Sequence, residues 1–427
     1  MSNPNKNAGL LGITFIAFVL AGSLAAQSSS QVRIVRLSDV RGAVEIDKNS
    51  GAGYEKAFMN MPITEGCLLR TQSDGKAEVE FDDGSALRLT PDTTVEFKRL
   101  GSDEGKHISE ANLTDGEAYV SWQAKHGDAL TLNFSRQKIT LLQSAHFRVQ
   151  TTPARSEVAV FKGDVEVVGP AGSIELGKRK MATFDSDKGV LAKFEAAPYD
   201  DWDKQADEYH STYTARNSTP FGYGASDLSY YGTYSNVPGY GMLWQPFFAG
   251  VGWNPYMDGA WAFYPGAGYM WVSAYPWGWT PYMYGNWLFV PGAGWMWQPG
   301  GWNSWNGTPR FVGTSPQHFS VPTAPTVGRN TVTVGNGGPV RLGTPFLRGT
   351  QITQGSAGRL VPRGSINNLA HLNRQVAKSG SVELRSAPVP YSGGASRPLA
   401  GQPAYATPAP MHSAPPMHSS GGGMRPH

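Results

Sequence analysis

Residues 32–195 alternate apolar and polar positions in many short runs, which is the pattern of β-strands with one buried face. The clearest runs are Val44-Glu45-Ile46, Ala77-Glu78-Val79-Glu80-Phe81, Ala86-Leu87-Arg88-Leu89, Thr94-Val95-Glu96-Phe97 and Val158-Ala159-Val160-Phe161. Asp83-Gly84-Ser85 and Lys162-Gly163-Asp164 separate such runs and suit tight turns. This density of short strands predicts an all-β domain, built as a roll, a sandwich or a β-solenoid.

A second region, residues 237–305, contains a sequence repeat written two and a half times. Its first motif occurs as Pro238-Gly239-Tyr240-Gly241-Met242-Leu243-Trp244, as Pro265-Gly266-Ala267-Gly268-Tyr269-Met270-Trp271 and as Pro291-Gly292-Ala293-Gly294-Trp295-Met296-Trp297. The steps are 27 residues (238 to 265) and 26 residues (265 to 291), and such a period indicates stacked copies of one supersecondary unit. Proline fixes φ at the first corner of each turn and glycine accepts a positive φ at the next. The repeat therefore predicts a small module of short aromatic β-strands joined by tight turns.

The aromatic rings of this module allow three interpretations. Of the 13 tryptophans, 11 lie between residues 244 and 305, and Asp258 is the only formal charge between residues 228 and 302. The rings form the core of a small β-meander, or they bind sugar faces or quaternary ammonium groups, or they mediate self-association through an exposed apolar patch. In the second interpretation the ligand platforms are Trp261, Trp271, Trp279, Trp287 and Trp297.

The remaining segments are a connector and a tail. Aromatic residues at helical spacing, with acidic residues in the first turn, predict a short helix over 198–215 that packs on a domain, and residues 216–236 have the composition of a linker. Residues 306–427 are a low-complexity tail rich in proline, glycine and serine, for which we expect disorder apart from one helix candidate over 365–378. From residue 303 onward, 11 basic residues oppose one acid, a balance of +10 that suggests contact with an anionic surface.

Residues 1–26 have the pattern of a secretory signal. Lys6 precedes an apolar run over 10–21, and Ser23-Leu24-Ala25-Ala26 offers small residues for cleavage. We expect cleavage and a periplasmic or secreted location. The alternative is an uncleaved anchor, which is the one way in which the sequence predicts contact with a membrane.

Composition and motifs argue against an enzyme. Charged residues make up 16% of the 427 residues, and the chain has 52 glycines, 31 prolines and a single cysteine, Cys67. It contains no nucleophile elbow, no zinc-protease motif and no phosphate-binding loop, so we predict no catalytic residue, no metal and no cofactor. Aromatic and basic residues occupy separate parts of a chain that begins with a secretion signal, and nucleic acid is therefore not predicted as a partner.

The first region resembles the FecR domain. The residues that carry the resemblance are Gly42-Ala43-Val44, Ile63-Thr64-Glu65-Gly66-Cys67-Leu68-Leu69-Arg70-Thr71, Ala77 to Leu89, Phe147-Arg148-Val149, Glu157 to Val167 and Leu176-Gly177-Lys178-Arg179. The resemblance implies an all-β extracytoplasmic domain that acts through protein–protein contact. The family's namesakes relay an outer-membrane signal to a sigma factor and have a cytoplasmic segment before a membrane helix, whereas only residues 1–9 precede the apolar run here.

The second region is similar to a bacterial family of secreted repeat proteins without an established activity. The match covers about residues 200–302 and is carried by Pro276-Trp277-Gly278-Trp279-Thr280-Pro281-Tyr282-Met283-Tyr284-Gly285-Asn286-Trp287. The sequence therefore predicts a non-enzymatic, FecR-like binding or scaffold protein of the bacterial envelope, with envelope proteins or cell-wall glycan as partners. One alternative is a carbohydrate- or cell-wall-binding protein that uses the aromatic repeats. The other is a membrane-anchored signal-transduction regulator of the FecR type.

Overall fold

The computed structural model describes residue 33 and residues 35–103, 106–125, 127–185, 188–216, 224–302, 310–311, 319, 333–334, 351–359 and 361–383. All of these belong to one unit, Met1–Ala387, and the second unit, Pro388–His427, lies outside the described residues. The predicted signal segment, residues 1–26, and much of the predicted tail also lie outside them. No helix among the described residues is long and apolar enough to cross a membrane.

The first region forms two open β-sheets. Its strands are β1 (Val35–Arg41), β2 (Val44–Asp47), β3 (Glu55–Lys56), β4 (Pro62–Ile63), β5 (Leu68–Thr71), β6 (Lys76–Glu80), β7 (Ala86–Leu89), β8 (Thr94–Asp103), β9 (Lys106–Trp122), β10 (Ala129–Phe134), β11 (Gln137–Leu141), β12 (Ala145–Thr151), β13 (Ser156–Lys162), β14 (Val165–Gly169), β15 (Gly172–Leu176), β16 (Met181–Asp185) and β17 (Lys188–Ala192). The first sheet has the order β4-β1-β6-β7-β9-β12-β13-β16-β17 and is antiparallel throughout. The second has the order β3-β2-β5-β8-β9-β10-β11-β14-β15, with β9 and β10 parallel.

Strand β9 belongs to both sheets. Its first half pairs with β8 and β10, and its second half pairs with β7 and β12. The changeover lies at Gly116, whose φ is +93°. A Cβ atom at this position would lie 2.6 Å from the carbonyl oxygen of Asp92, so glycine alone lets the strand pass from one sheet to the other.

The two sheets enclose one hydrophobic core. The core-facing residues are the apolar members of the alternating runs, among them Val44, Ile46, Val79, Leu87, Val95, Phe97, Val149 and Val158. This arrangement confirms the all-β fold class, and the two layers around a shared core correspond to the sandwich among the predicted architectures. The single cysteine, Cys67, is buried in that core.

Two helices follow the sheets. The first, α1 (Asp200–Thr214), lies within the range 198–215 where the sequence predicts a helix, and Asp200, Asp201 and Asp203 occupy its first turn. The second, α2 (Ala225–Tyr231), lies where the sequence predicts a linker. The linker prediction for residues 216–236 is wrong for this part, because α2 is almost entirely buried and its Leu228 packs in an aromatic cluster that composition alone does not reveal.

The repeat folds as three β-hairpins. They are β18 (Gly232–Val237) with β19 (Gly241–Pro246), β20 (Gly259–Tyr264) with β21 (Gly268–Ser273), and β22 (Tyr284–Val290) with β23 (Gly294–Trp302), with the short helix α3 (Thr280–Met283) before the last pair. Gly239, Gly266 and Gly292 have φ between +76° and +82°, as the Pro-Gly turns predict. The hairpins do not form one continuous meander. The first and third share a sheet through Trp244 and Trp297, whereas the second forms a separate sheet.

The middle hairpin is part of the core of the two large sheets. Tyr264, Met270, Val272 and Trp279 belong to the same buried cluster as the strands of the first region. The side-chain amide of Asn60 donates hydrogen bonds to the carbonyl oxygens of Ser273 (3.0 Å) and Tyr275 (2.7 Å). The repeat module and the β-sandwich therefore share one buried core.

Part of the predicted tail is structured. Short strands β24 (Arg310–Phe311) and β25 (Thr333–Val334) extend the two repeat sheets, and residues 351–383 form β26 (Gln351–Thr353), α4 (Leu369–Ser379) and β27 (Ser381–Glu383). Helix α4 overlaps the predicted helix over 365–378 and ends at Gly380, whose φ is +78°. The prediction of disorder is wrong for 351–383, because Ile352, Val361, Leu369 and Val376 bury their side chains against aromatic rings from the repeat.

Candidate functional site

The outer face of the first sheet carries the polar members of the alternating runs. Arg36 stands opposite Glu80 on neighbouring strands, and Arg88 stands opposite both Glu78 and Tyr119. In an isolated sandwich these side chains would face water. Here Arg36, Glu78, Glu80 and Arg88 are each 2% exposed or less, because other parts of the chain cover this face.

Helix α1 covers one half of the face with a row of carboxylates. Asp200, Asp203 and Asp207 follow at spacings of three and four residues, which places them on one side of the helix. Asp200 pairs with Arg148 (2.6 Å) and accepts a hydrogen bond from the Tyr119 hydroxyl (2.8 Å). Asp203 pairs with Arg88 (2.7 Å) and contacts His146 (2.6 Å), and Asp207 accepts a hydrogen bond from Ser121 (2.6 Å).

The end of α1 and helix α2 cover the other half. His210 contacts a Glu78 carboxylate oxygen through Nε2 (2.9 Å) and the Ser226 hydroxyl through Nδ1 (3.0 Å). Asp227 lies at the start of α2, accepts a hydrogen bond from the Tyr209 hydroxyl (2.8 Å) and forms an ion pair with Arg36. The backbone N–H of Gly224 donates to Glu80 (3.0 Å), so this carboxylate is bound from two sides.

Arg363, from the segment before α4, completes the cluster. Its guanidinium group donates to Glu78 (2.7 Å), to Asp227 (2.9 Å) and to the backbone carbonyl oxygen of Ser38 (2.9 Å). We call the set of Arg36, Glu78, Glu80, Arg88, Asp203, His210, Asp227 and Arg363 the charge network. It connects strands β1, β6 and β7 of the sandwich with both helices and the segment before α4.

The charge network is electrostatically paired rather than poised for proton transfer. Burial by itself raises the pKa of Glu78, but the positive charges of His210, Arg363 and Arg88 outweigh it and hold that pKa well below its usual value. The pKa of Asp227 is also lowered, since the charges of Arg363 and Arg36 outweigh the effect of burial. Both carboxylates are therefore ionised near neutral pH, whereas a general acid or base needs a pKa close to the working pH.

This pairing predicts a loss of stability in acid. The folded-state pKa values of Glu78 and Asp227 lie below the values of about 4.3 and 3.9 found in unfolded chains. As the pH falls, the unfolded state therefore takes up protons first, so the contribution of these groups is complete above about pH 5 and is lost progressively as the pH falls from there through their folded-state pKa values. We expect the difference in free energy of unfolding between wild type and Glu78→Gln, measured by denaturant titration, to shrink between pH 5 and pH 3.

The exposed Glu175→Gln is the matched control, and its difference from wild type should stay small across the same range. A wild-type and a Glu78→Gln curve that run parallel from pH 5 to pH 3 would show that Glu78 is not held ionised by its partners.

The five tryptophans predicted as ligand platforms lie in the interior. Their side chains are between 0% and 3% exposed. Trp261 faces Trp271 across one hairpin and Trp287 faces Trp297 across another, while Trp279 packs in the sandwich core. A sugar ring needs an open aromatic face on which to stack, and these faces are covered by protein. The structure therefore places all five rings in the protein interior, four in the aromatic cluster and Trp279 in the sandwich core, and not in the core of a single meander.

The rings around Trp277 pack in both perpendicular and stacked geometries: Trp244 and Trp253 meet it edge to face, and Tyr275 stacks on it. The Trp277 ring lies 5.0 Å from those of Trp244 and Tyr275, 5.9 Å from Trp253 and 6.0 Å from Trp287, measured between centroids. Its indole N–H donates to the carbonyl oxygen of Ala357 (2.7 Å). Such offset and perpendicular geometries are favoured by the quadrupole of each ring.

Sequence reasoning did not find the residues of the charge network. One signal was available: the carboxylates of α1 recur on one side of the helix, and the polar positions of β6 and β7 alternate strictly with apolar ones. A charged strand face and an acidic helix face of this kind are complementary. No such signal marks Arg363, which is separated from Glu78 by 285 residues. Among the described residues, no group of three or more His, Cys, Asp or Glu side chains could hold a metal ion.

Comparisons with known families match both regions. The family model described as FecR protein matches residues 68–166, and the model described as a family of unknown function, DUF6600, matches residues 225–326. The chain contains a FecR domain followed by a DUF6600 region. This order confirms the two resemblances predicted from the sequence. The FecR match covers strands β5 to β13 and the start of β14, and the two sheets continue beyond it on both sides.

Solved structures add little to these matches. Two crystal structures of a candidate anti-sigma factor from Parabacteroides distasonis, at 16% and 17% identity, each match 32% of this chain with a TM-score of 0.28. The match spans 63% of the length of those chains. A TM-score of 0.28 is too low for these structures to support a conclusion about the FecR domain. No curated protein was found to match the chain.

Proposed function

We propose that this protein is a non-enzymatic binding and scaffold protein of the bacterial envelope, periplasmic or secreted, whose partner is an envelope protein. The apolar run over 10–21 followed by small residues supports export. The FecR domain supports a role in protein contact. The charge network is internally paired and the aromatic rings are buried, so neither cluster presents an open surface to an envelope protein in this structure.

The observation that carries the proposal is the open edge of the first sheet, at strand β17, which lies just beyond the FecR match. Strand β17 pairs with β16 on one side, and no other described strand pairs with it. Val190 and Leu191 on this strand are 57% and 64% exposed. An unpaired edge that carries exposed apolar side chains is a template for an added strand, and proteins usually block such edges unless they use them. The partner that fits is an extended peptide segment of another protein, with apolar side chains.

Photo-crosslinking in cells tests this proposal. A photoreactive amino acid is placed at Val190 of the full-length protein in its native bacterium, and we expect one discrete crosslinked protein adduct. The matched control is the same amino acid at Val251, which is 69% exposed in the DUF6600 region and should not give that adduct. Adding Leu191→Asp should abolish the adduct while leaving the free energy of unfolding within about 0.5 kcal/mol, because this side chain is exposed.

Two results would count against the edge strand. One is the absence of any adduct at position 190, and the other is an identical adduct at positions 190 and 251. Persistence of the adduct after Leu191→Asp would show that the contact does not depend on the apolar side chain of Leu191.

A membrane-anchored regulator of the FecR type is the second candidate, and the FecR match favours it. The two candidates differ in the N-terminal segment, because a regulator of that kind keeps its anchor. The mass of the mature protein distinguishes them: loss of residues 1–26 supports the exported scaffold, and their retention in the membrane fraction supports the anchored regulator. The basic residues beyond position 303 support an additional contact with an anionic surface in either case.

A further inference from the structure

The C-terminal segment, residues 351–383, is a small closed unit. Its two ends meet, because Gln351 at the start of β26 pairs with Glu383 at the end of β27. Between them, the side chain of Asn368 caps α4 by accepting a hydrogen bond from the N–H of His371 (2.9 Å). A segment whose ends lie side by side connects to the rest of the chain at one place, so it can leave its position without rearranging the strands on either side.

This segment lies in a groove formed by the aromatic cluster. Ile352, Ala357, Val361, Leu369 and Val376 are each 3% exposed or less and pack against that cluster. The groove also binds the backbone of the segment. The Trp277 indole donates to Ala357 O (2.7 Å), the Tyr231 hydroxyl donates to Val361 O (2.9 Å), and the N–H of Phe248 donates to the side chain of Asn373 (2.7 Å). These are the contacts of a peptide in a binding groove, with apolar anchors and main-chain hydrogen bonds.

Two arginines four residues apart also anchor the segment. Arg359 pairs with Asp258 (2.6 Å), which is the only formal charge between residues 228 and 302. Arg363 enters the charge network between Glu78 and Asp227. Without Arg363, the four carboxylates of the charge network would keep the guanidinium groups of Arg36 and Arg88 and the imidazole of His210, and Asp227 would lose one of its two guanidinium partners. A buried, undercompensated carboxylate pair attracts a guanidinium group strongly, so the groove selects arginine at this position.

We propose that residues 351–383 are an exchangeable ligand, and that the groove is a binding site for an arginine-anchored peptide that this chain fills with its own segment. The site is distinct from the β17 edge. Its recognition elements are the Glu78–Asp227 carboxylate pair, the carboxylate of Asp258 and the aromatic wall. The occupant is the segment itself, and its release opens the site.

Cleavage and exchange in the full-length protein test this proposal. A protease site is inserted within residues 335–350, the folded protein is cleaved, and a labelled synthetic peptide of residues 351–383 is added. We expect the cleaved C-terminal fragment to stay bound on gel filtration until an excess of the labelled peptide replaces it. The Arg363→Ala peptide should bind at least about thirtyfold more weakly, and Arg363→Lys should be intermediate, since lysine keeps the charge without the two-sided hydrogen bonding.

The Arg374→Ala peptide is the matched control, because Arg374 is exposed on α4, and it should bind as the native peptide does. Every contact named for the Arg363 side chain is with a residue outside the segment. Removal of this side chain should therefore not change the conformation of the free peptide, and circular dichroism of the free peptides checks this. Three outcomes would overturn the proposal: a fragment that exchanges only when the whole protein unfolds, a fragment that leaves on cleavage and does not rebind, or equal binding of the Arg363→Ala and native peptides.

Discussion

Substitution of Glu78 by alanine is expected to lower the free energy of unfolding by about 3–5 kcal/mol, which is the cost of removing one partner from a buried ion pair. The Glu78 carboxylate accepts hydrogen bonds from Ser38 (2.6 Å), Arg88 (2.8 Å) and Arg363 (2.7 Å) and contacts His210 (2.9 Å). Its loss leaves these donors buried without their acceptor. Denaturant unfolding at pH 7, followed by far-ultraviolet circular dichroism, measures the effect.

An exposed glutamate of the same domain provides the control for this substitution. Glu175→Ala on β15 should change the free energy of unfolding by no more than about 0.5 kcal/mol. If Glu78→Ala behaved like Glu175→Ala, the outer face of the first sheet would be open to water, and the charge network would not hold α1, α2 and residues 351–383 in place.

Substitution of Trp277 by alanine is expected to cost about 3–5 kcal/mol as well, by a different mechanism. This side chain is 1% exposed and contacts Trp244 of the first hairpin, Trp287 of the third, and Trp253 from the segment between the first two hairpins. Its removal leaves a cavity among rigid rings that cannot close around it, and it also deprives Ala357 of a hydrogen bond. Trp277→Phe fills part of the cavity and should cost less than the alanine substitution.

Tyr240 is the control for Trp277, since it lies in the same repeat and is 40% exposed at a hairpin tip. Tyr240→Ala should have an effect within about 0.5 kcal/mol. Circular dichroism is the proper readout for both variants, because removal of a tryptophan changes the fluorescence directly. A cost below about 1 kcal/mol for Trp277→Ala would mean that the rings enclose open space rather than a packed core.

Both substitutions should act on the whole described unit. The middle hairpin contributes Tyr264, Met270 and Trp279 to the sandwich core, and the charge network ties both helices to the opposite face of the same sheet. Damage to either cluster therefore weakens the FecR domain and the DUF6600 region together. The aromatic repeat is therefore a structural partner of the FecR domain. Strand β17 forms the edge of the first sheet opposite to β4.

Local pattern was sufficient for the strands of the first region, the repeat hairpins and helix α1, but not for α2, β26 or β27. The alternation in Ala77 to Phe81 and in Ala86 to Leu89 predicted strands whose apolar members face the core, and β6 and β7 have that form. The Pro-Gly turns predicted hairpins, because proline and glycine restrict φ whatever surrounds them. The acidic first turn and aromatic spacing predicted the helix that is observed as Asp200–Thr214. In each case, the property is fixed by a few neighbouring residues.

Local pattern could not predict what covers a surface. The polar members Glu78 and Arg88 have the sequence signature of a solvated strand face, and the five tryptophans have the composition of a binding surface. Their burial depends on residues far away in sequence, such as Arg363, which lies 285 positions from Glu78, and Trp277, which lies 80 positions from Ala357. The sequence by itself determined the strands, the turns, the helix and the two family resemblances, because these follow from short-range periodicity and dihedral preference. Only the tertiary structure decided that the charged sheet face and the aromatic rings are interior, because burial is a property of the partner that packs against a residue and not of the residue's own neighbours.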